Sequence, residues 1–281
     1  MQFLAEILGN RAVAESWREL VLSWDEAAGD PEPGQFLTLR VSPFSDPLLR
    51  RPFAFAGYRR AFAGYGRAGE AGSARVSIVY QIRGKATRLL SELAPGSRID
   101  AIAPLGKGFP KPASDETPIL AGGGIGLGPL LFLADVLSAA DVLSAADVLS
   151  AAGREAPLVL GVRNSSLLPS IALPPGTVLC TDDGSSGFRG TPVDWLAHNA
   201  PQGRVRIYGC GPGPMLAALA ALAAERGWAA SLSAEQWMAC GVGACMGCAL
   251  PRADGSGYLR ACTDGPVFEA SDIDWGNRDE T

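Results

Sequence analysis

Histidine is nearly absent: His198 is the only one in 281 residues. A histidine-rich zinc site, a two-histidine iron site and a histidine-based catalytic triad are therefore excluded unless His198 serves alone. Its setting, Asp194-Trp195-Leu196-Ala197-His198-Asn199, reads as the exposed end of a helix. Basic charge is also scarce, with 24 Lys and Arg against 29 Asp and Glu and a net charge of −5. Such a chain has no positive field for a phosphate backbone, so nucleic acid is not an expected partner. Met1 to Glu6 meets an acid before any basic residue, which is not the start of a secretory signal, and a cytoplasmic location is expected. Three uncharged runs, 117–134, 164–181 and 207–224, approach membrane-spanning length, but glycines and prolines interrupt each one. No membrane span is expected.

What the chain does have is a globular balance, 47% hydrophobic and 19% charged, enough for two ordinary domains or one large one. From Glu6 to Ile102, short β-rich runs (Ser16–Trp24, Gln35–Val41, Pro52–Ala56, Arg75–Ile82 and Ser97–Ala101) alternate with turn residues, the texture of a small antiparallel barrel. Gly57 to Ala74, rich in Gly, Ala and Arg, reads as a long hairpin loop. From Thr117 to Ser231, apolar strands (Pro118–Ala121, Leu158–Val162, Val178–Thr181 and Arg204–Tyr208) alternate with Ala/Leu-rich helical stretches, which implies a parallel sheet covered on both faces. The last fifty residues hold four of the six cysteines. The expected architecture is multidomain α/β plus β: a β-barrel over 1–112, an α/β domain over 113–231 and a small cysteine-bearing domain over 232–281.

Asp-Val-Leu-Ser-Ala-Ala recurs in tandem within 134–150, with Asp135, Asp141 and Asp147 in phase. Six residues advance a helix by about 600°, so successive Val-Leu pairs point about 240° apart and no single apolar face forms. A duplicated stretch that lengthens one surface helix accounts for this, with a docking helix as the functional alternative.

In a reducing cytosol cysteines serve as ligands or reactive thiols more often than as disulfides. Cys240, Cys245, Cys248 and Cys262 are spaced C-x4-C-x2-C-x13-C, the plant-type spacing for a 2Fe-2S cluster. Gly241, Gly243, Ala244 and Gly247 between them allow the backbone to wrap closely and aim N–H groups at sulfur. A four-cysteine zinc site usually has two C-x2-C pairs, and here there is one. Cys180 ends an apolar strand and reads as a small core residue.

Two glycine-rich turns each join a strand to a helix: Leu120 to Pro129, containing Gly122, Gly123, Gly124 and Gly126, and Tyr208 to Met215, containing Cys210, Gly211 and Pro212. Glycine there permits close approach to a pyrophosphate at a helix N-terminus, and glycine also serves ordinary tight turns. Asp182 and Asp183 end a third strand, where they could bind ribose hydroxyls or cap a helix. Arg163 could take a 2′-phosphate or be a solvated strand end, so NAD and NADP are not separated.

Taken together, Pro33-Gly34-Gln35-Phe36, Leu49-Arg50-Arg51-Pro52, Tyr80 to Thr87, Pro104 to Phe109, the triple-glycine turn, the Cys-Gly-Pro turn and Cys262 to Phe268 resemble the ferredoxin-NADP reductase superfamily with a C-terminal 2Fe-2S domain. More closely, they resemble the electron-transfer subunits of NAD-dependent dihydroorotate dehydrogenases. The resemblance implies FAD on the barrel, with Arg51, Pro52, Phe53 and Ala54 along the flavin and Val79, Tyr80, Gln81, Ala86 and Thr87 toward its ribityl chain and phosphates. It also implies NAD across Gly122–Gly126 and Cys210–Pro212, with Cys210 near the nicotinamide. The implied partner is a catalytic FMN-containing dihydroorotate dehydrogenase subunit in a heterotetramer, serving pyrimidine biosynthesis. Other readings are an electron-transfer subunit for a hydrogenase or sulfite reductase, and a non-redox nucleotide-binding regulator with structural zinc. Three departures from the pattern stand out: Ala54 where Ser or Thr is usual, Ala86 where Gly is usual, and about twelve extra residues in the helix after the triple glycine.

Overall fold

A computed structural model describes residues 1–59, 74–144, 157–199 and 203–276. The first half is an antiparallel sheet of β1 (Gln2–Ala14), β2 (Trp17–Ser23), β3 (Phe36–Arg40), β4 (Arg51–Ala54), β5 (Gly57–Arg59), β6 (Arg75–Gln81) and β7 (Arg98–Leu105), with α1 (Lys85–Glu92) between β6 and β7. Its order is β4-β3-β7-β1-β2-β6-β5. The chain between β4 and β5 crosses the open seam: Phe55 N–H bonds Gln35 O at 3.2 Å, and Ala56 N–H bonds Ser77 O at 2.7 Å. The sheet thereby curls around Ile7, Leu20, Leu22, Leu37, Leu39 and Ile78, all within 1% of full burial. The hairpin-loop expectation over Gly57–Ala74 needs correction at its start, because Gly57–Arg59 pairs with Arg75–Ser77 as strand; residues 60–73 lie outside the described residues.

The second half is built on β8 (Thr117–Gly123), α2 (Leu127–Ser144), β9 (Leu158–Val162), β10 (Val178–Thr181), β11 (Phe188–Arg189), α3 (Pro192–Asn199), β12 (Val205–Cys210), α4 (Gly213–Arg226) and β13 (Ala229–Ser233). The C-terminal segment adds a hairpin of β14 (Ala249–Pro251) and β15 (Tyr258–Arg260), then β16 (Val267–Glu269). The sheet order is β11-β10-β9-β8-β12-β13-β16, parallel except for β16. Strand alternation divides the core between its two faces. Leu120, Leu158, Leu160 and Tyr208 pack under α2, whereas Ile119, Ala121, Val159, Val205 and Ile207 share a cluster with Leu196 of α3 and Leu216 and Leu219 of α4. Successive residues of one strand thus serve opposite helical layers.

In the described part of the repeat, Val136 is 39% exposed and Leu137 packs against the α2 core. A surface helix that shares out its Val-Leu pairs behaves this way. The repeat beyond 144 lies outside the described residues. No helix among the described residues is long and apolar enough to cross a membrane.

Candidate functional site

Three features converge where the barrel, the parallel sheet and the C-terminal segment meet. The first is the cysteine loop. Cys240 and Cys245 contact one another through their side chains, and Cys248 and Cys262 lie with sulfurs 3.2 Å apart. Val242 and Ala244 donate N–H to Cys240 Sγ at 3.5 and 3.3 Å, and Gly247 donates to Cys245 Sγ at 3.4 Å. The Val242 N–H, followed by the Cys245 contact and the Ala244 N–H, holds the Cys240 thiol down to about 6 against the cost of desolvation. Burial, reinforced by Cys248, pushes the Cys262 thiol up. Among the described residues no three His, Cys, Asp or Glu side chains converge on a single-ion position. The sulfurs form two pairs, a donor set that suits two irons with N–H groups turned toward thiolate.

Arg260 fixes the loop from behind. Its Nη1 donates to Gly243 O at 2.9 Å, its Nε to Asp264 Oδ2 at 3.2 Å, and its backbone N–H to the same carboxylate oxygen at 2.8 Å. Gly243 sits at φ +84°, in the left-handed region that favours glycine, and a Cβ there would come within 2.7 Å of the Thr263 methyl.

The second feature is the pair of glycine turns. β8 and β12 are adjacent, with Gly122 opposite Cys210, and the sheet extends away from them in opposite directions through β9 and β13. This is the switch point of the sheet, where a crevice opens beyond the carboxyl ends of the strands. The glycines there have different tasks. A Cβ on Gly126 would lie 2.3 Å from Cys210 O, and one on Gly211 would lie 3.0 Å from Gly123 Cα, so both allow one turn to pack against the other. Gly124, at φ +53°, has nothing within 4 Å of its added Cβ and faces open space. Burial pushes the Cys210 thiol up to about 12 despite its contact with Ser233, so at neutral pH it is an uncharged, weakly nucleophilic group. The Ser185 hydroxyl, followed by the Ser185 N–H that Asp183 accepts at 2.9 Å, draws the Asp183 carboxyl below the usual range and supports a turn. His198 ends α3, its Nδ1 2.7 Å from Asp194 O, as a helix-end residue should.

The third feature is the barrel strip facing that crevice. Val79 packs with Val13, Trp17, Ala56 and Val162, and Ile125 of the first glycine turn joins them. The turn is thereby seated on β6. Phe53 meets Tyr80 edge-on with ring centroids 5.9 Å apart, and the Tyr80 hydroxyl is committed to Asn10 Oδ1 at 3.0 Å. Gln81 bridges Ser16 and Arg83, and the Arg51 guanidinium donates to Leu49 O at 2.8 Å. Ala86 is buried in the barrel core. Thr87 Oγ1 accepts N–H groups from Arg83 and Gly84 at 2.9 and 3.1 Å, which caps α1. A Cβ on Gly84 would meet nothing within 4 Å, so the N-terminus of α1 is open, while the neighbouring Lys85 is ion-paired with Asp46.

Residues 235–274 match the iron-sulfur cluster binding domain of dihydroorotate dehydrogenase B. Over 274 residues the chain is 36% identical to the dihydroorotate dehydrogenase B (NAD(+)) electron transfer subunit of Geobacillus thermodenitrificans (strain NG80-2), covering 95% of this chain and 96% of that one. The chain belongs to this family of electron transfer subunits. The family's counterpart in Listeria monocytogenes serotype 4b (strain F2365) is 34% identical over 279 residues, covering 97% and 99% of the two chains. Among solved structures, an NADH-dependent reduced ferredoxin-NADP oxidoreductase superposes with a TM-score of 0.71 at 24% identity, over 98% of this chain and 91% of that one, a likeness of fold.

For a member of this family, the cysteine quartet and both glycine turns were legible as motifs. The Arg260 clamp, the Asn10–Tyr80 bond and the Ser233 contact to Cys210 were not. No spacing rule marks them, since Arg260 and Gly243, Asn10 and Tyr80, and Ser233 and Cys210 are brought together only by the tertiary fold.

Proposed function

We propose that this chain passes electrons between a catalytic partner, which oxidises dihydroorotate to orotate, and NAD, by way of a 2Fe-2S cluster and FAD. The observation that carries this reading is the two-pair arrangement of four cysteine sulfurs beside a nucleotide crevice seated on a flavoprotein-type barrel. When bound, FAD exchanges two electrons as hydride with the nicotinamide and single electrons with the cluster, the conversion these carriers require.

The side chains of Cys240, Cys245, Cys248 and Cys262 hold the cluster, and the N–H groups of Val242, Ala244 and Gly247 stabilise negative charge on sulfur. Arg51 and the open start of α1 take the FAD phosphates through charge-assisted hydrogen bonds. Pro52, Phe53 and Ala54 line the flavin, and Gln81 and Thr87 reach the ribityl and phosphate side, where Val79, Tyr80 and Ala86, whose side chains are buried in the protein, offer backbone only. Ala54 has no hydroxyl, so any hydrogen bond from this residue to the flavin would come from its backbone. NAD lies across Gly122, Gly123, Gly124, Gly126, Cys210, Gly211 and Pro212. Hydride transfer needs no general acid or base, and the uncharged Cys210 thiol fits that requirement.

The catalytic partner carries FMN, assembles with this chain as a heterotetramer and works in the cytoplasm. It docks over the cluster loop, where Trp237, Val242, Met246 and Tyr258 are 74, 49, 52 and 65% exposed. The flavin, nucleotide and cluster functions divide at 112/113 and 231/232, with β16 of the last part completing the nucleotide sheet.

Replacing Cys245 with Ser and recording the reduced protein by EPR tests the reading. The cluster signal is expected to weaken or vanish while FAD stays bound. A full wild-type signal overturns the ligand assignment, and a colourless wild-type protein holding one zinc overturns the redox reading.

A further inference from the structure

Three buried side-chain polar atoms among the described residues have no hydrogen-bond partner: Trp17 Nε1, Thr38 Oγ1 and Thr263 Oγ1. Buried hydroxyls are seldom left in that state. Both threonines abut a glycine of the cysteine loop, but in different ways. A Cβ on Gly241 would meet the Thr38 methyl at 3.0 Å and no Thr38 oxygen within 4 Å, so the Thr38 hydroxyl turns away from the loop. Thr263 differs in that its hydroxyl also comes close: a Cβ on Gly243 would meet its methyl at 2.7 Å and its hydroxyl oxygen at 3.4 Å, so the buried hydroxyl lies beside the cysteine loop.

Its surroundings are fixed. The Thr263 N–H is bonded to Arg260 O at 3.2 Å, and the Gly243 carbonyl is taken by Arg260 Nη1. The Gly243 N–H is directed at the sulfur of Cys262, the residue preceding Thr263, and Cys262 is paired with Cys248. A hydroxyl has one proton to donate, and this buried one finds no acceptor among the described residues. The acceptors that the loop is built to surround are sulfurs.

We propose that the Thr263 hydroxyl donates a hydrogen bond to a sulfur of the cluster and thereby raises its reduction potential, making Thr263 a positioning and tuning residue rather than a ligand. This rests on the 2Fe-2S reading above. Reduction places an extra negative charge on the cluster, much of it on sulfur, so a donor stabilises the reduced form more than the oxidised form. Removing the donor must then lower the potential.

The test compares wild type, Thr263→Val, Thr263→Ala and Thr263→Ser as full-length holoproteins, by iron and flavin content and by EPR-monitored redox titration of the cluster. Val keeps the shape without the proton, Ala removes the hydroxyl without strain against Gly243, and Ser restores the donor. In Val or Ala, whichever assembles its cluster, the reduced-to-oxidised ratio at fixed ambient potential is expected to fall about tenfold, a midpoint lower by about 59 mV for a one-electron couple. Thr263→Ser is expected to stay within about twofold of wild type. An iron-loaded Ala or Val variant with the wild-type midpoint overturns the proposal, as does a Ser variant shifted as far as Ala. A wild-type protein without iron would instead remove the 2Fe-2S reading, so the two failures are distinguishable.

Discussion

Gly126→Ala adds a single methyl where the two nucleotide turns touch, and its effect can be worked from the geometry. The new Cβ would lie 2.3 Å from Cys210 O, 2.4 Å from Cys210 C and 2.7 Å from Gly211 N, all backbone atoms. Ordinary contact begins near 3.4 Å, so the turns must part by about 1 Å. They cannot part freely, because β8 and β12 are laddered up to Gly122 and Cys210, immediately before both turns. Overpacking of this kind costs about 1–3 kcal/mol, and at about 2–4 °C per kcal/mol for a chain of this size the melting temperature should drop by about 2–12 °C. A shift of about 1 Å between the groups that position a hydride donor and its acceptor slows transfer on the order of 100-fold. Thermal unfolding and stopped-flow reduction of the flavin by NADH read the two effects. Gly124→Val is the contrasting change: its side chain enters open space where a pyrophosphate would lie, and its φ of +53° adds backbone strain confined to the turn. It should weaken NADH binding while leaving β8 and β12 together and the cluster and flavin spectra unchanged. Gly126→Ala with wild-type melting and wild-type flavin reduction would refute the assignment of Gly126 to turn-against-turn packing.

Two further changes test the frame and the flavin contact. Arg206 joins Glu116 at 2.7 Å, Glu269 at 3.0 Å and Ser231 Oγ at 2.9 Å, tying β12 to β16 and thus the nucleotide sheet to the cluster segment. The Arg206 hydrogen bond holds the Glu116 carboxyl below its usual value of 4.5. Its stabilisation is therefore full above about 4.5 and is lost as pH falls through the lower folded-state value. Glu116→Gln should cost about 1.5–3 kcal/mol at neutral pH and flatten the acid limb of a stability–pH curve, and an unchanged acid limb would contradict this. Arg51→Ala should lower FAD occupancy after purification by an effect of about 1.5–3 kcal/mol, the worth of a charged hydrogen bond. Undiminished FAD, or FMN in its place, would count against it.

The parts most legible in the sequence were those where chemistry constrains spacing. The cysteine quartet has the spacing that cluster ligation requires, and the glycine turns follow from strands that end against a helix start. Strand β1 was missed because its alternation fails: Gly9, Asn10 and Arg11 sit mid-strand, and its register to β2 slips at Ile7/Gly9 and again at Ala12/Ala14. Strand β16 was missed because three residues, Val267–Glu269, become a strand only by pairing with β13, more than thirty residues earlier. The glycine-rich turns merged two roles, since only the folded chain separates Gly124, which faces space, from Gly126, which faces Cys210. Tyr80 was legible as a motif member, whereas the commitment of its hydroxyl to Asn10 depends on β1 lying across the barrel.

Whether this chain links dihydroorotate oxidation to NAD is decided by reconstitution. The isolated catalytic partner is supplied with dihydroorotate and NAD, and NADH formation is followed before and after the chain, loaded with FAD and cluster, is added. No NADH is expected without the chain, although an artificial acceptor is reduced, and one NADH per orotate is expected once the chain is present, with the rate abolished by Cys245→Ser. NADH formed equally well without the chain, or none formed with the loaded chain in place, would contradict that link.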